Sequence, residues 1–158
     1  MRHEVQTVMP VPSDPDFERR CRDSFARQPL MATLGMFVVE VAPGRAVLGV
    51  KHRADLTQQH GFVHAGVVST GLDTACGYAA FTLMPADAGV LTIEFKINLL
   101  APALGPELRF EAEVTKAGRT ISVADARAYQ DGDGGERKLV ASMTATLMTV
   151  MGRPDVRG

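Results

Sequence analysis

The spacing of apolar positions changes several times along this chain, and each change marks an element. Phe17, Cys21 and Phe25 recur every four residues, which predicts one apolar stripe on a short helix. Asp14-Pro15 ahead of them reads as an N-cap followed by proline at the first helical position. Gln28-Pro29 ends that helix. Gly35–Ala42 is rich in Val and Phe. After the Pro43-Gly44 turn, Arg45–His52 alternates, with Ala46, Leu48 and Val50 on one parity. The pair predicts a hairpin. Arg53–Val63 is a polar loop. From Ala65 to Met84 the apolar and small residues fit a helix by length, and Asp73 is the single charged residue among them. A helix that is apolar nearly all round is a buried one. Four alternating stretches follow: Val90–Leu99, Leu108–Thr115, Thr120–Tyr129 and Leu139–Leu147. The turn Lys116–Arg119 and the loop Asp131–Gly135 separate them. Clean alternation predicts an antiparallel sheet with one packed face.

The order is a short helix, two strands, one long buried helix and four strands. That is an α+β protein. A helix with apolar sides most of the way round needs wrapping, and a strongly curved antiparallel sheet is the simplest solution. Residues 1–13 are expected to form a loose arm, 14–150 a single domain and 151–158 a C-terminal tail. No internal repeat is present.

Composition narrows the class. The chain has 158 residues, 46% hydrophobic and 22% charged, with a formal net charge of −1. Such a length suits one domain and a core without staples. The even charge argues against a nucleic-acid specialist, which shows a basic excess on one face. No uninterrupted apolar run reaches a membrane span, and residues 1–17 lack the apolar core of a signal peptide. Cys21 and Cys76 have no metal or redox spacing. A reducing, cytoplasmic setting is the expectation.

Candidate chemistry gathers around the long helix. An isolated carboxylate in a buried helix is costly unless paired, hydrogen-bonded or neutralised. Asp73 is therefore at a wet edge of that helix, a cap on a neighbouring backbone, or a catalytic base or nucleophile facing a cleft. His60 and His64 have the spacing of a metal pair only if their segment is helical, and Gly61 argues against a helix there. No metal site is expected. Ala65-Gly66 opens the helix, where small residues leave the first backbone N–H groups accessible to a carbonyl oxygen gaining charge. Gln58, Gln59 and Thr92 are polar groups able to orient water. Lys116, Arg119 and Arg137 are either solvated turn charges or contacts for phosphates.

Gln58-Gln59-His60-Gly61-Phe62-Val63-His64-Ala65-Gly66, followed by Leu72-Asp73-Thr74-Ala75, resembles the PaaI-like hotdog thioesterases. Their pattern is Gly-x-x-His-Gly-Gly with Asp seven residues beyond the last glycine. Gly61, His64, Gly66 and Asp73 match it, and Ala65 replaces the middle glycine. Val90–Pro102 is similar to the family's strand after the helix. The resemblance implies a hotdog fold, a curved antiparallel six-stranded sheet around one long central helix, with a short N-terminal helix added. It implies an acyl-CoA thioesterase acting on a small aryl or short- to medium-chain acyl group, with its active site built by a homodimer and dimers pairing into a homotetramer. Asp73 would attack the thioester or activate water. Backbone N–H at Ala65 or Gly66 would polarise the carbonyl, and His64 would order the loop or contact the thioester. Gln58 would stand where relatives often carry Asn, with Gln58 or Gln59 filling that role, and Thr92 where a Ser or Thr positions water. Gln59, His60, Gly61, Lys116 and Arg119 would contact substrate. Coenzyme A would be part of the substrate, and no cofactor, nucleic acid or membrane is implied. Two other readings stay open: a hotdog dehydratase or hydratase pairing His60 with Asp73, and a non-catalytic acyl-CoA-binding module.

Overall fold

A computed structural model of the chain describes residues 9–132 and 134–157. Two short helices, α1 (Phe17–Ala26) and α2 (Pro29–Leu34), precede the hairpin β1 (Met36–Ala42) and β2 (Arg45–Lys51). The long helix α3 (Ala65–Phe81) follows. Then come β3 (Gly89–Leu99), β4 (Glu107–Lys116), β5 (Ile121–Asp131) and β6 (Arg137–Val150). All six strands join one curved antiparallel sheet in the order β1-β2-β4-β5-β6-β3. This is the α+β hotdog arrangement.

The sheet wraps α3 because one parity of each central strand is apolar. Leu48 and Val50 of β2, Leu108 and Phe110 of β4, and Met143 and Leu147 of β6 are buried beneath the helix. Alanines fill much of the rest: Ala124, Ala126 and Ala128 on β5, and Ala141 and Ala145 on β6. Small side chains there let a helix lie close to the sheet. The approach is tightest at Gly71, where an added Cβ would stand 2.4 Å from the Phe110 ring. Arg20 ties α1 to the other end of α3. Its guanidinium donates to the carbonyls of Phe81 at 3.0 Å and Met84 at 2.9 Å, and lies over the Phe81 ring. A cation is favourable at a helix C-terminus, where carbonyls lack partners.

Four expectations are corrected. Gln28-Pro29 does not simply end a helix; Pro29 opens α2 at its first turn, a position where its missing N–H costs nothing. Asp14 is not the N-cap of α1. The helix begins at Phe17, and Asp14 instead accepts from the Asp16 backbone and pairs with Arg20 at 3.1 Å. The long helix stops at Phe81 rather than running to Met84.

The fourth concerns β3. Its alternation predicts one packed apolar face, yet Leu91, Ile93, Phe95 and Leu99 are 42–55% exposed. β3 is an edge strand bonded only to β6, and a bulge between Thr92 and Glu94 switches its parity. Cross-strand neighbours share a face. Thr92 opposes the buried Leu147, and Phe95 opposes the buried Ala145. Thr92 and Phe95 therefore both face the helix side, although their parities differ.

Of the expected N-terminal arm, residues 1–8 lie outside the described residues, as does Asp133 in the loop 131–135. The C-terminal segment turns back across the start of β3, with Val156 against Gly89. No helix among the described residues is long and apolar enough to cross a membrane.

Candidate active site

The loop before α3 is held by its own backbone. Thr57 bridges Val63, Gln58 N donates to Phe62 O at 2.9 Å, and Gly61 N donates to Gln58 O at 3.0 Å. Gly61 sits in that turn with φ +84°. His64 N donates to Leu56 O at 2.9 Å, fixing where the helix begins. His64 is the N-cap: its Nδ1 accepts from Gly66 N at 2.8 Å. An imidazole at this position replaces the usual Ser or Asp oxygen.

That cap separates the two expected carbonyl donors. The Gly66 N–H is taken by His64. Ala65 N–H has no acceptor among the described residues and stands at the positive end of the helix dipole. Ala65 lines an apolar cavity of about 390 Å³ with Gln58, Phe62, Leu99, Leu100 and Pro102 among its walls. The Gln58 side chain turns into its own loop and accepts from His60 N. Gln59 and His60 are exposed.

Asp73 lies elsewhere. The side of α3 away from the sheet is a half-exposed stripe of small and polar residues, including Ala65, Ser69, Asp73 and Gly77 at intervals of four. Thr92 Oγ1 on β3 donates to Asp73 Oδ1 at 2.8 Å, leaving Oδ2 for other chemistry. Burial pushes the Asp73 carboxyl above the ordinary carboxylate range, and the Thr92 hydrogen bond partly opposes this by favouring the charged form. Both residues line a second cavity of about 340 Å³, polar in character, with Ser24, Gln28, Gly77 and Tyr78.

A pH prediction follows. Thr92→Ala removes the group that lowers the Asp73 pKa, so the acid limb of a rate profile that needs ionised Asp73 moves to higher pH. Thr92→Ser keeps the hydroxyl and returns the limb toward its original position. A pH–rate profile of the three proteins measures this; a limb that stays put or moves to lower pH contradicts it.

The remaining expected residues are dispersed. Arg119 lines a small cavity with Leu83 and Pro85, beyond the C-terminal end of α3. Lys116 is exposed at the end of β4. Neither shares a cavity with Asp73 or Ala65. Arg137 is engaged by Glu111 and stacks over Tyr129 at 4.1 Å, and it lines neither the Asp73 nor the Ala65 cavity. His60 and Asp73 line no common cavity, so the pair needed by a dehydratase is not assembled in the chain. Among the described residues no three His, Cys, Asp or Glu side chains gather as a metal site. Sequence reasoning missed Ser24, Gln28 and Tyr78. Tyr78 was the one with a signal, a lone phenol in an otherwise apolar stretch of helix.

The sequence profile described as the thioesterase superfamily matches residues 60–136. A Saccharolobus solfataricus protein named "Putative esterase SSO2140" is 32% identical over 101 residues, 64% of this chain and 71% of its own length. The crystal structure of a thioesterase family protein from Silicibacter pomeroyi is 57% identical, with a TM-score of 0.84, covering 86% of this chain and 99% of that one. A mutant of the phenylacetic acid degradation protein PaaI from Thermus thermophilus is 26% identical, with a TM-score of 0.67, covering 77% of this chain and 98% of that one.

Proposed function

The chain belongs to the thioesterase superfamily, and from that premise we propose that it hydrolyses acyl-CoA thioesters at a site shared by two copies. The acyl group is a small aryl or short- to medium-chain one. The observation that carries the shared site is a separation. Asp73 and Ala65 are eight residues apart on one straight helix, about 12 Å along its axis. A carboxylate acting on a carbonyl carbon, and an N–H holding that carbonyl's oxygen, must both lie within roughly 3 Å of the group they serve. One chain's pair is too far apart.

Two-fold pairing of β3 removes the difficulty. Asp73 is tied to Thr92 near the start of β3, and the Ala65 cavity is walled by Leu99 and Leu100 at its end. Seven residues of strand separate these points, about 23 Å. If Phe95 and Lys96 lie near a two-fold axis, antiparallel pairing sets the Thr92 end of one chain against the Leu99 end of the other. Asp73 of each subunit then meets Ala65 N–H of its partner. An 11-residue edge strand with exposed Ile93, Phe95 and Leu99 is otherwise an aggregation hazard. The small side chains between Ala65 and Asp73 on the exposed stripe of α3 suit the approach of a second helix.

In that site the Ala65 N–H stabilises the oxyanion as the carbonyl carbon becomes tetrahedral. Asp73 Oδ2 supplies the attack by one of two routes. As general base it takes a proton from water, whose oxygen bonds to carbon. As nucleophile it bonds to carbon itself, and water then cleaves the acyl-aspartyl anhydride. In both, collapse breaks the C–S bond, the thiolate leaves and a proton restores coenzyme A. The direct test is release of free thiol from a panel of acyl-CoAs. Thiol release proportional to acid formed supports hydrolysis. A change in enoyl absorbance without thiol release supports a hydratase instead, and tight binding without turnover a binding module.

A further inference from the structure

The cavity beside Asp73 has a far wall that hydrolysis alone does not require. Its floor is α3. One turn beyond Asp73 is Gly77, where an added Cβ would meet nothing within 4 Å. Open space therefore runs along the helix from the carboxylate toward Tyr78. Tyr78 Oη accepts from Gln28 Nε2 at 2.8 Å and lies 3.0 Å from Ser24 Oγ. The Ser24–Tyr78 bond runs in either direction, and with the phenol as its donor the Ser24 hydroxyl proton serves another acceptor.

Two cations complete this wall. Arg19, Arg20 and Arg22 on α1 pair with Asp16, Asp14 and Glu18. Arg27, at the elbow between α1 and α2, lines the cavity and has no carboxylate partner among the described residues. The second cation comes from the C-terminal segment. A Cβ on Gly89 would stand 2.3 Å from Val156 O, so the segment seats against β3 because residue 89 is glycine. That seating brings Arg157 into the cavity wall, also without a carboxylate partner among the described residues.

Resting on the hydrolase proposal above, we infer that this wall is an acyl subsite for a short acyl group ending in a carboxylate. The cavity is at the small end of the ligand-pocket range. The pantetheine arm of coenzyme A is far too long for its phosphates to reach a cation beside the reacting carboxylate. The acyl end therefore meets Arg27 and Arg157. Gly77 lies a little over one helical turn beyond Asp73, roughly 6 Å along the axis, and an open run of that length beside it suits an acyl group of about six carbons. Two guanidiniums and a hydroxyl donor there outweigh the single negative charge of Asp73 at the opposite end.

The test compares kcat/KM for adipyl-CoA and hexanoyl-CoA, which differ only in a terminal carboxylate against a methyl group. Thiol release is measured for the wild type and for Arg27→Gln/Arg157→Gln. The wild type is expected to favour adipyl-CoA by about tenfold, and the double variant to lose about that whole preference. Gly89→Val, which displaces Val156, lowers the ratio in the same direction as Arg157→Gln alone. A wild type favouring hexanoyl-CoA, or a ratio unmoved by the arginine variants, overturns the inference while thiol release leaves the hydrolase intact. An equal fall for both substrates also overturns it, because it places the arginines on the coenzyme A side. Absence of thiol release from every acyl-CoA overturns both.

Discussion

Asp73→Asn is expected to lower kcat about 10³-fold while leaving the fold and the subunit association unchanged. The size follows from removing the carboxylate assigned to attack or to take a proton. Asn keeps the shape and still accepts from Thr92, so the loss is chemical rather than structural. Stability should move the other way. Burial raises the Asp73 pKa in the folded chain above its unfolded value, so the folded state holds its proton more tightly. Stability contributed by that carboxyl is then lost as pH rises from the ordinary carboxylate range through the folded pKa. At neutral pH the ionised group is a net cost, and Asn removes it. Asp73→Asn should therefore melt at a higher temperature than wild type at pH 7, and the advantage should vanish at pH values where Asp73 is protonated in both states. Calorimetry at the two pH values with parallel turnover assays measures both effects. Near-normal turnover contradicts the assigned role, and a lower melting temperature at pH 7 contradicts the burial argument.

The expectations that succeeded and failed have separate physical sources. The long helix and most strands were legible because period and length survive in any context. Asp73 was legible because a lone charge in a buried helix needs a reason. Thr92 was not legible from alternation: it stands on the polar parity of β3, and only the bulge after it turns it to Asp73. Single-chain periodicity also could not show that the apolar side of β3 lies open, since that depends on its place at the sheet edge. The order of strands in the sheet is set by long-range pairing, which leaves no local pattern. The split between Ala65 and Gly66 as donors depended on one side-chain geometry, the His64 Nδ1 cap. Ser24, Gln28 and the C-terminal segment share a cavity with Asp73 through tertiary packing alone.

Ala65→Pro is the second large effect. Proline lacks the N–H assigned to the oxyanion, and kcat should fall about 10²–10³-fold. KM should change little, because the interaction is made mainly in the transition state. The helix should tolerate the substitution. Ala65 is the first helical residue, a favoured site for proline. His64 before it has φ −60° and ψ 139°, the extended conformation that a following proline requires. Circular dichroism and turnover on the same preparation separate a lost donor from a lost helix. Full activity in a folded Ala65→Pro protein contradicts the assignment of this N–H.

These two inactive chains test the shared site most directly when combined. In a mixed dimer of Asp73→Asn with Ala65→Pro, one site lacks both groups. The other takes Asp73 from one chain and the Ala65 N–H from its partner, so it is intact. Random mixing makes half the dimers mixed, each with one working site of two, and the preparation should regain about a quarter of wild-type turnover. A site contained within one chain leaves every site in the mixture damaged. Turnover of co-refolded Asp73→Asn and Ala65→Pro near that quarter is the predicted result, and turnover no higher than that of the separate variants contradicts it.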